Sequence, residues 1–116
     1  MYNFEKLKVW QKAREFVNLV YKTTEKYPTK EKFVLSQHTC KSAISTLSNI
    51  AECGSRLSPI EQKRFVEIAL GSLYETIAQL YIALDNKYVA KNQFDKLYEQ
   101  SQEISKMLSG LSRSFK

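Results

Sequence analysis

The sequence predicts an all-α fold, an antiparallel up-down four-helix bundle, from three observations. Apolar residues recur at helical spacing in four successive segments of a 116-residue chain. Only 3 Gly and 2 Pro are present, too few for a sandwich of many short strands and tight turns. Short polar connections separate the four segments, and such loops join antiparallel neighbours. The length suits one domain, and a 43% apolar share supplies a core without disulfide staples.

The first helix is expected from Phe4 to Tyr27. Val9, Ala13, Phe16, Val17, Val20 and Tyr27 share one broad face. Lys8, Lys12, Lys22 and Lys26 fall together on the opposite side, with Glu15 among them. Pro28 ends the helix, because the residue before a proline resists the helical region. The second helix is expected from Lys30 to Gly54, with Thr29 as N-cap and Gly54 as C-terminal breaker. Its apolar stripe is Phe33, Cys40, Ala43, Ile44, Leu47, Ile50 and Ala51, with Lys41, Ser45, Ser48, Asn49, Glu52 and Arg56 on the other side.

The third helix opens on Ser58-Pro59-Ile60-Glu61. This pattern sets Ser at the N-cap, Pro at the first helical position and Glu three residues after the Ser. It is expected to run to Asp85, with Val66, Leu70, Leu73, Ile77, Leu80, Tyr81 and Leu84 on one face. Phe65 and Ile68 widen the apolar surface beyond one stripe, which predicts that they lie toward a second subunit. Gly71 sits mid-helix, where Gly costs about 1 kcal/mol against Ala, so close helix packing is expected there. The fourth helix is expected from Lys91 to Leu111 on Phe94, Leu97, Tyr98, Ile104, Leu108 and Leu111, with a frayed tail after it.

Composition narrows the function. Net charge is +6, and its excess sits at the chain ends. Residues 1–32 hold eight Lys/Arg against four Asp/Glu, residues 33–86 four against five, and residues 87–116 six against three. A basic surface favours polyanions. No apolar run approaches the roughly 20 residues of a membrane span. The beginning MYNFEKLKVW lacks a basic stretch followed by an apolar one, so a cytoplasmic protein is expected, without a membrane partner.

Metal, cofactor and catalytic sites are not expected. Cys40 and Cys53 lie thirteen residues apart on one helix, about 20 Å at 1.5 Å per residue, so they cannot form an intrachain disulfide. His38 is the one histidine, and it does not share a helix face with Cys40, so no nucleophile–base pair forms there. Neither GxxxxGK[ST] nor GxGxxG occurs. Glu99 and Glu103 pair at helical spacing among lysines and read as solvated surface.

Several stretches in order carry a family likeness: LKVWQKAREF, then YP-TKEKF-LSQ, then SNIAE-GSR, then EIALGSL with Glu75 and Gln79 behind it. In these the chain resembles the four-helix-bundle protein family of the 23S rRNA intervening sequences, over nearly its whole length. The resemblance implies a bundle that assembles into a homopentamer. It also implies an RNA-associated role, by way of the basic pentameric accessory protein of diversity-generating retroelements, which binds RNA and a reverse transcriptase. Trp10 matches the family's tryptophan of the first helix, Asn49, Ile50, Ala51, Glu52 and Arg56 its NIAEG-R stretch, and Phe65, Ala69, Gly71, Ser72, Glu75 and Gln79 its third helix. Cys40-Lys41 replaces an Arg-Arg pair, Leu47 a proline, and Cys53 interrupts the AEG triplet. Losing two arginines removes bidentate phosphate donors from the second helix.

Two sets of residues follow as candidates. Lys8, Lys12, Lys22, Lys26, Lys41 and Arg56 are candidate RNA contacts; five copies of the chain repeat them fivefold. Asn49, Glu52 and Arg56, spaced i, i+3, i+7, with Glu75 and Gln79, form either a ligand face or a polar network between helices or subunits. Three functions compete: an RNA-binding oligomeric scaffold, a protein-assembly module, and a small-molecule or catalytic site around Asn49, Glu52 and Glu75.

Overall fold

The computed structural model describes residues 1–116. Four helices and no strands make it all-α: α1 Lys8–Thr24, α2 Leu35–Ser55, α3 Pro59–Asp85 and α4 Lys91–Ser114. Each helix packs on the next, and α4 closes on α1. Cross-helix contacts run in opposite residue order, Ser42 with Thr76 and Ser45 with Ser72 across α2/α3, Lys12 with Glu103 and Thr23 with Gln93 across α1/α4. These neighbours are therefore antiparallel, and the bundle measures 44 × 24 × 24 Å.

The core follows the apolar periodicity. Phe16, Val20, Ile50, Leu73, Leu80, Leu97, Ile104 and Leu108 are fully buried in one main cluster. Tyr27, Ala83, Val89 and Phe94 form a smaller cluster under the α1–α2 and α3–α4 turns. Pro59 holds the first helical position of α3 as expected.

The boundaries depart from expectation where turns compete with helix. Residues Asn3–Lys6 form a separate 3₁₀ turn, and extended Leu7 divides it from α1. That turn lies over the end of α2, where a Cβ at Gly54 would stand 3.1 Å from the Phe4 Cβ. Gly54 thus permits a close approach, and it does not break α2, which continues to Ser55. Thr29 does not cap α2 either. Thr29–Glu31 is a 3₁₀ turn, residues 32–34 continue as turn, and α2 starts only at Leu35. Phe33, expected in the stripe of the second helix, is consequently 74% exposed. Ile44 and Tyr81 are also exposed rather than in the core. Ser58 makes no side-chain cap bond. The tail does not fray at Leu111: α4 reaches Ser114, and Phe115 packs against the core.

The α3–α4 turn is a Schellman closure. The Tyr88 amide donates to the Ala83 carbonyl and the Lys87 amide to that of Leu84. Lys87 takes φ 63°, the left-handed position usually given to glycine. Lys87→Gly is expected to raise stability by about 0.5–1 kcal/mol, read as a higher midpoint in urea. A lower midpoint would show that the lysine side chain contributes more than its backbone conformation costs.

Candidate nucleic-acid interface and polar seam

Antiparallel folding redistributes the charge. One end of the bundle gathers residues 1–8, 52–64 and 106–116, with eight Lys/Arg against three Asp/Glu. The other end gathers residues 22–41 and 85–96, with eight against four. The waist between them holds two against five. The poles are thus +5 and +4, and the waist is −3. Only Lys12, Arg56 and Lys91 pair with a carboxylate, so most cations are free to meet a polyanion.

Lys8, Lys12, Lys22 and Lys26 are all exposed, as is Lys41. They do not act as one strip. Lys12 is held by Glu103 at 3.3 Å in the waist, whereas Lys8 belongs to one pole and Lys22 and Lys26 to the other. The sequence stripe omits Lys30, Lys32 and Lys87, which join Lys22 and Lys26 at the turn-bearing pole. A sequence signal existed in the basic residues that flank both turns of that pole.

Asn49, Glu52, Arg56, Glu75 and Gln79 separate into two groups. Asn49 turns back along its own helix, and its amide donates to the Ser45 carbonyl at 2.8 Å and to Ser45 Oγ at 3.2 Å. Gln79 Oε1 accepts from Ser42 Oγ at 3.1 Å, and Gln79 Nε2 reaches Glu75 at 3.4 Å. Glu52 is exposed and receives Arg56 Nη2 at 2.8 Å. The Arg56 guanidinium also lies over the Phe65 ring, 4.8 Å from its centre. Phe65 is half-buried against the chain's own core beneath that arginine, and Ile68 is the more exposed of the expected pair.

What joins α2 to α3 is a seam of hydroxyls. Ser42 Oγ meets Thr76 Oγ1 at 2.7 Å, and Ser45 Oγ meets Ser72 Oγ at 2.8 Å. Thr39, Thr46 and Thr76 each donate to the carbonyl four residues earlier, which satisfies them while fully buried. Small side chains let the two helices approach closely, and this is the most extensive contact in the fold. A signal lay in the spacing of Ser/Thr at 39, 42 and 46 against Ser/Thr at 72 and 76, but such residues count as polar by composition. Ser42→Ala leaves Gln79 Oε1 without its donor and is expected to cost about 1 kcal/mol. The double variant with Thr76→Val is expected to lose less than the two single losses combined. Additive losses in urea unfolding would show the hydroxyls to be uncoupled.

Other reactive groups are subdued. Burial raises the Cys53 thiol above its usual range, which disfavours the nucleophilic thiolate. Tyr27 is buried with its hydroxyl unpartnered, and its pKa is pushed up to about 12, by desolvation first and by Cys40 second. His, Cys, Asp and Glu side chains do not gather in groups of three. No helix is long and apolar enough to cross a membrane.

The third helix carries the main apolar exposure. Ile60, Ile68, Tyr74 and Ile82 are exposed outside its buried Val66–Leu73–Leu80 stripe, while half-exposed Tyr81 packs on Phe94 of α4 with ring centres 4.7 Å apart. Gly71 lies on this outward face with nothing within 4 Å of where a Cβ would stand, so the close packing expected there is not supplied by the chain itself. Beside the ridge, α3 and α4 bound a groove of about 490 Å³ lined by Leu73, Tyr74, Ile77, Tyr81, Tyr98 and Lys106.

Comparison with known proteins follows the same outline. No curated protein sequence matches the chain. Among solved structures, a protein of unknown function of the S23 ribosomal protein family from Bacteroides thetaiotaomicron superposes with a TM-score of 0.83 at 25% identity. The match covers 90% of this chain and 95% of that one. The sequence profile described as 23S rRNA-intervening sequence protein matches residues 5–110. With nearly every helix inside that match, the chain belongs to the 23S rRNA-intervening sequence protein family.

Proposed function

We propose that this protein is a cytoplasmic, non-catalytic RNA-associated scaffold that works as a homo-oligomer, with five copies as its family resemblance implies. The observation that carries the reading is the division of the surface. Unpaired cations crowd both poles, while the waist is net negative and exposes the apolar ridge of α3. A polyanion is attracted to the poles and repelled from the waist. Protein association is favoured at the ridge, where Ile68, Tyr74 and Ile82 are exposed. The two functions therefore occupy different surfaces and do not compete. The unpaired cysteines on α2 suit a reducing compartment.

The test is binding to a structured RNA, followed by fluorescence anisotropy at roughly 50 and 200 mM salt. Affinity that rests on many phosphates is expected to fall by about 10³–10⁵ across that range. No binding at the lower salt would end the RNA reading. The α3–α4 groove favours a second reading, in which a protein partner docks at the waist. Partners that persist in a pull-down after nuclease treatment would support it, and partners that vanish would support RNA.

A further inference from the structure

Between the 3₁₀ turn Thr29–Glu31 and the start of α2, the chain exposes two adjacent apolar residues, Phe33 at 74% and Val34 at 58%. Both lie outside the core, and neither is needed to build α1 or α2. The segment is nevertheless held in place. Tyr88 from the α3–α4 turn donates its hydroxyl to Glu31 Oε2 at 3.0 Å, and the Tyr27 and Tyr88 rings meet at 5.6 Å. The two turns of this pole thus form one fixed tip, and an exposed aromatic on a fixed platform binds with little ordering cost.

The surroundings of Phe33 are basic. Lys32 Nζ lies 5.4 Å from the centre of its ring, on one face. Phe33 is otherwise 74% exposed, so most of its side chain is open to solvent. Lys22, Lys26, Lys30, Lys41, Lys87 and Lys91 belong to the same pole, of which Lys91 alone is paired, with Asp95. Glu25, Glu31 and Asp85 are the other acids there, and Glu31 is engaged by Tyr88. Lys32 also borders a hollow of about 410 Å³ whose lining includes the hydroxyl residues Tyr21, Thr24, Thr29 and Ser36 and one carboxylate, Glu25. Hydroxyls beside a lysine suit a sugar-phosphate, and an open aromatic face suits a base.

We propose that this tip recognises unpaired nucleotides of an RNA loop, with a base stacked on the open face of Phe33 and its phosphates held by Lys32 and the neighbouring lysines. This deepens the RNA reading and rests on it. Paired bases in an RNA helix are closed to such stacking, whereas loop bases are splayed and available. The tip therefore selects for loops over duplex, a preference that charge alone does not supply. An anionic membrane is the less favoured occupant, because two apolar residues in a turn offer no apolar helix face to embed.

The test uses the full chain, an RNA hairpin with an unpaired loop, and a blunt RNA duplex of equal phosphate count. Wild type is expected to favour the hairpin. Phe33→Leu keeps the apolar character and every lysine but removes the π face. It is expected to weaken hairpin binding about tenfold, within the range of one base–aromatic stack, while duplex binding and helicity stay unchanged. Phe33→Trp is expected to retain hairpin affinity and to show quenching of its added fluorescence on binding. Unchanged hairpin affinity in Phe33→Leu would overturn the stacking site, while an effect of lysine substitutions in the same assay would leave the RNA reading standing. Failure of wild type to bind either RNA would overturn both. Tighter binding to phosphatidylglycerol vesicles than to the hairpin, abolished in Phe33→Leu, would overturn stacking in favour of a lipid surface.

Discussion

Replacing Lys22, Lys26, Lys30 and Lys32 by glutamine is expected to weaken binding to structured RNA about 10²-fold or more at roughly 50 mM salt. The same variant is expected to flatten the salt dependence, by about one unit of slope for each phosphate that is no longer neutralised. All four lysines are exposed at one pole, and none of them pairs with a carboxylate. Removing their charge breaks no ion pair, so helicity and urea midpoint should hold. The control, compared charge for charge, is Lys12→Gln with Arg14→Gln. Lys12 lies at the net-negative waist and is already engaged by Glu103, so this pair is expected to change affinity less than about threefold, the charges there facing a surface that repels phosphate. Equal losses for each charge removed in the two variants would show a diffuse charge effect and would remove the poles as a binding surface.

That pairing of variants depends on the fold, because the charge pattern of the linear sequence is not the pattern of the surface. Along the chain the positive excess lies at the two ends, and the stretch 33–86 is slightly negative. Folding carries Arg56, Lys63 and Arg64 to the pole that holds both termini, and carries Lys87 and Lys91 beside Lys30 and Lys32. Helical spacing alone places Lys8, Lys12, Lys22 and Lys26 on one side of the expected first helix, but α1 ends at Thr24, before Lys26, and the carboxylate that engages Lys12 comes from α4. The apolar stripes of α1, α3 and α4 were legible because each buries long aliphatic or aromatic side chains at regular spacing. The seam of α2 is harder to read, because Thr39 and Thr46 count as polar until their hydroxyls bond the preceding turn. The start of α2 differs from expectation for a related reason. Thr29 and Glu31 resemble a helix beginning, yet the turn closes there through 3₁₀ bonds, and Phe33 follows before Leu35 finds a packed position. The residue that periodicity assigns to the core is therefore the one left exposed at the tip.

The outward face of α3 offers the second large effect. Aspartate at both Ile68 and Tyr74 is expected to convert an oligomer into a monomer at micromolar concentration, read as mass by analytical ultracentrifugation. Both side chains are exposed in the single chain, so their replacement leaves no cavity and should spare the fold. In an assembly through this ridge they sit at the centre of the buried patch, where truncating a central anchor costs about 2 kcal/mol or more and a buried unpaired carboxylate costs further. Gly71 supplies an opposite pair of signs in one substitution. Nothing lies within 4 Å of a Cβ added there, so Gly71→Ala gains about 1 kcal/mol of helix stability in the isolated chain. If another copy packs closely against that face, the same methyl group obstructs it and association weakens. A higher urea midpoint together with a lower assembled mass is therefore the expected signature of an α3 interface. A higher midpoint with unchanged mass would place the interface elsewhere, and a monomeric wild type would reduce the ridge to a surface for a different partner.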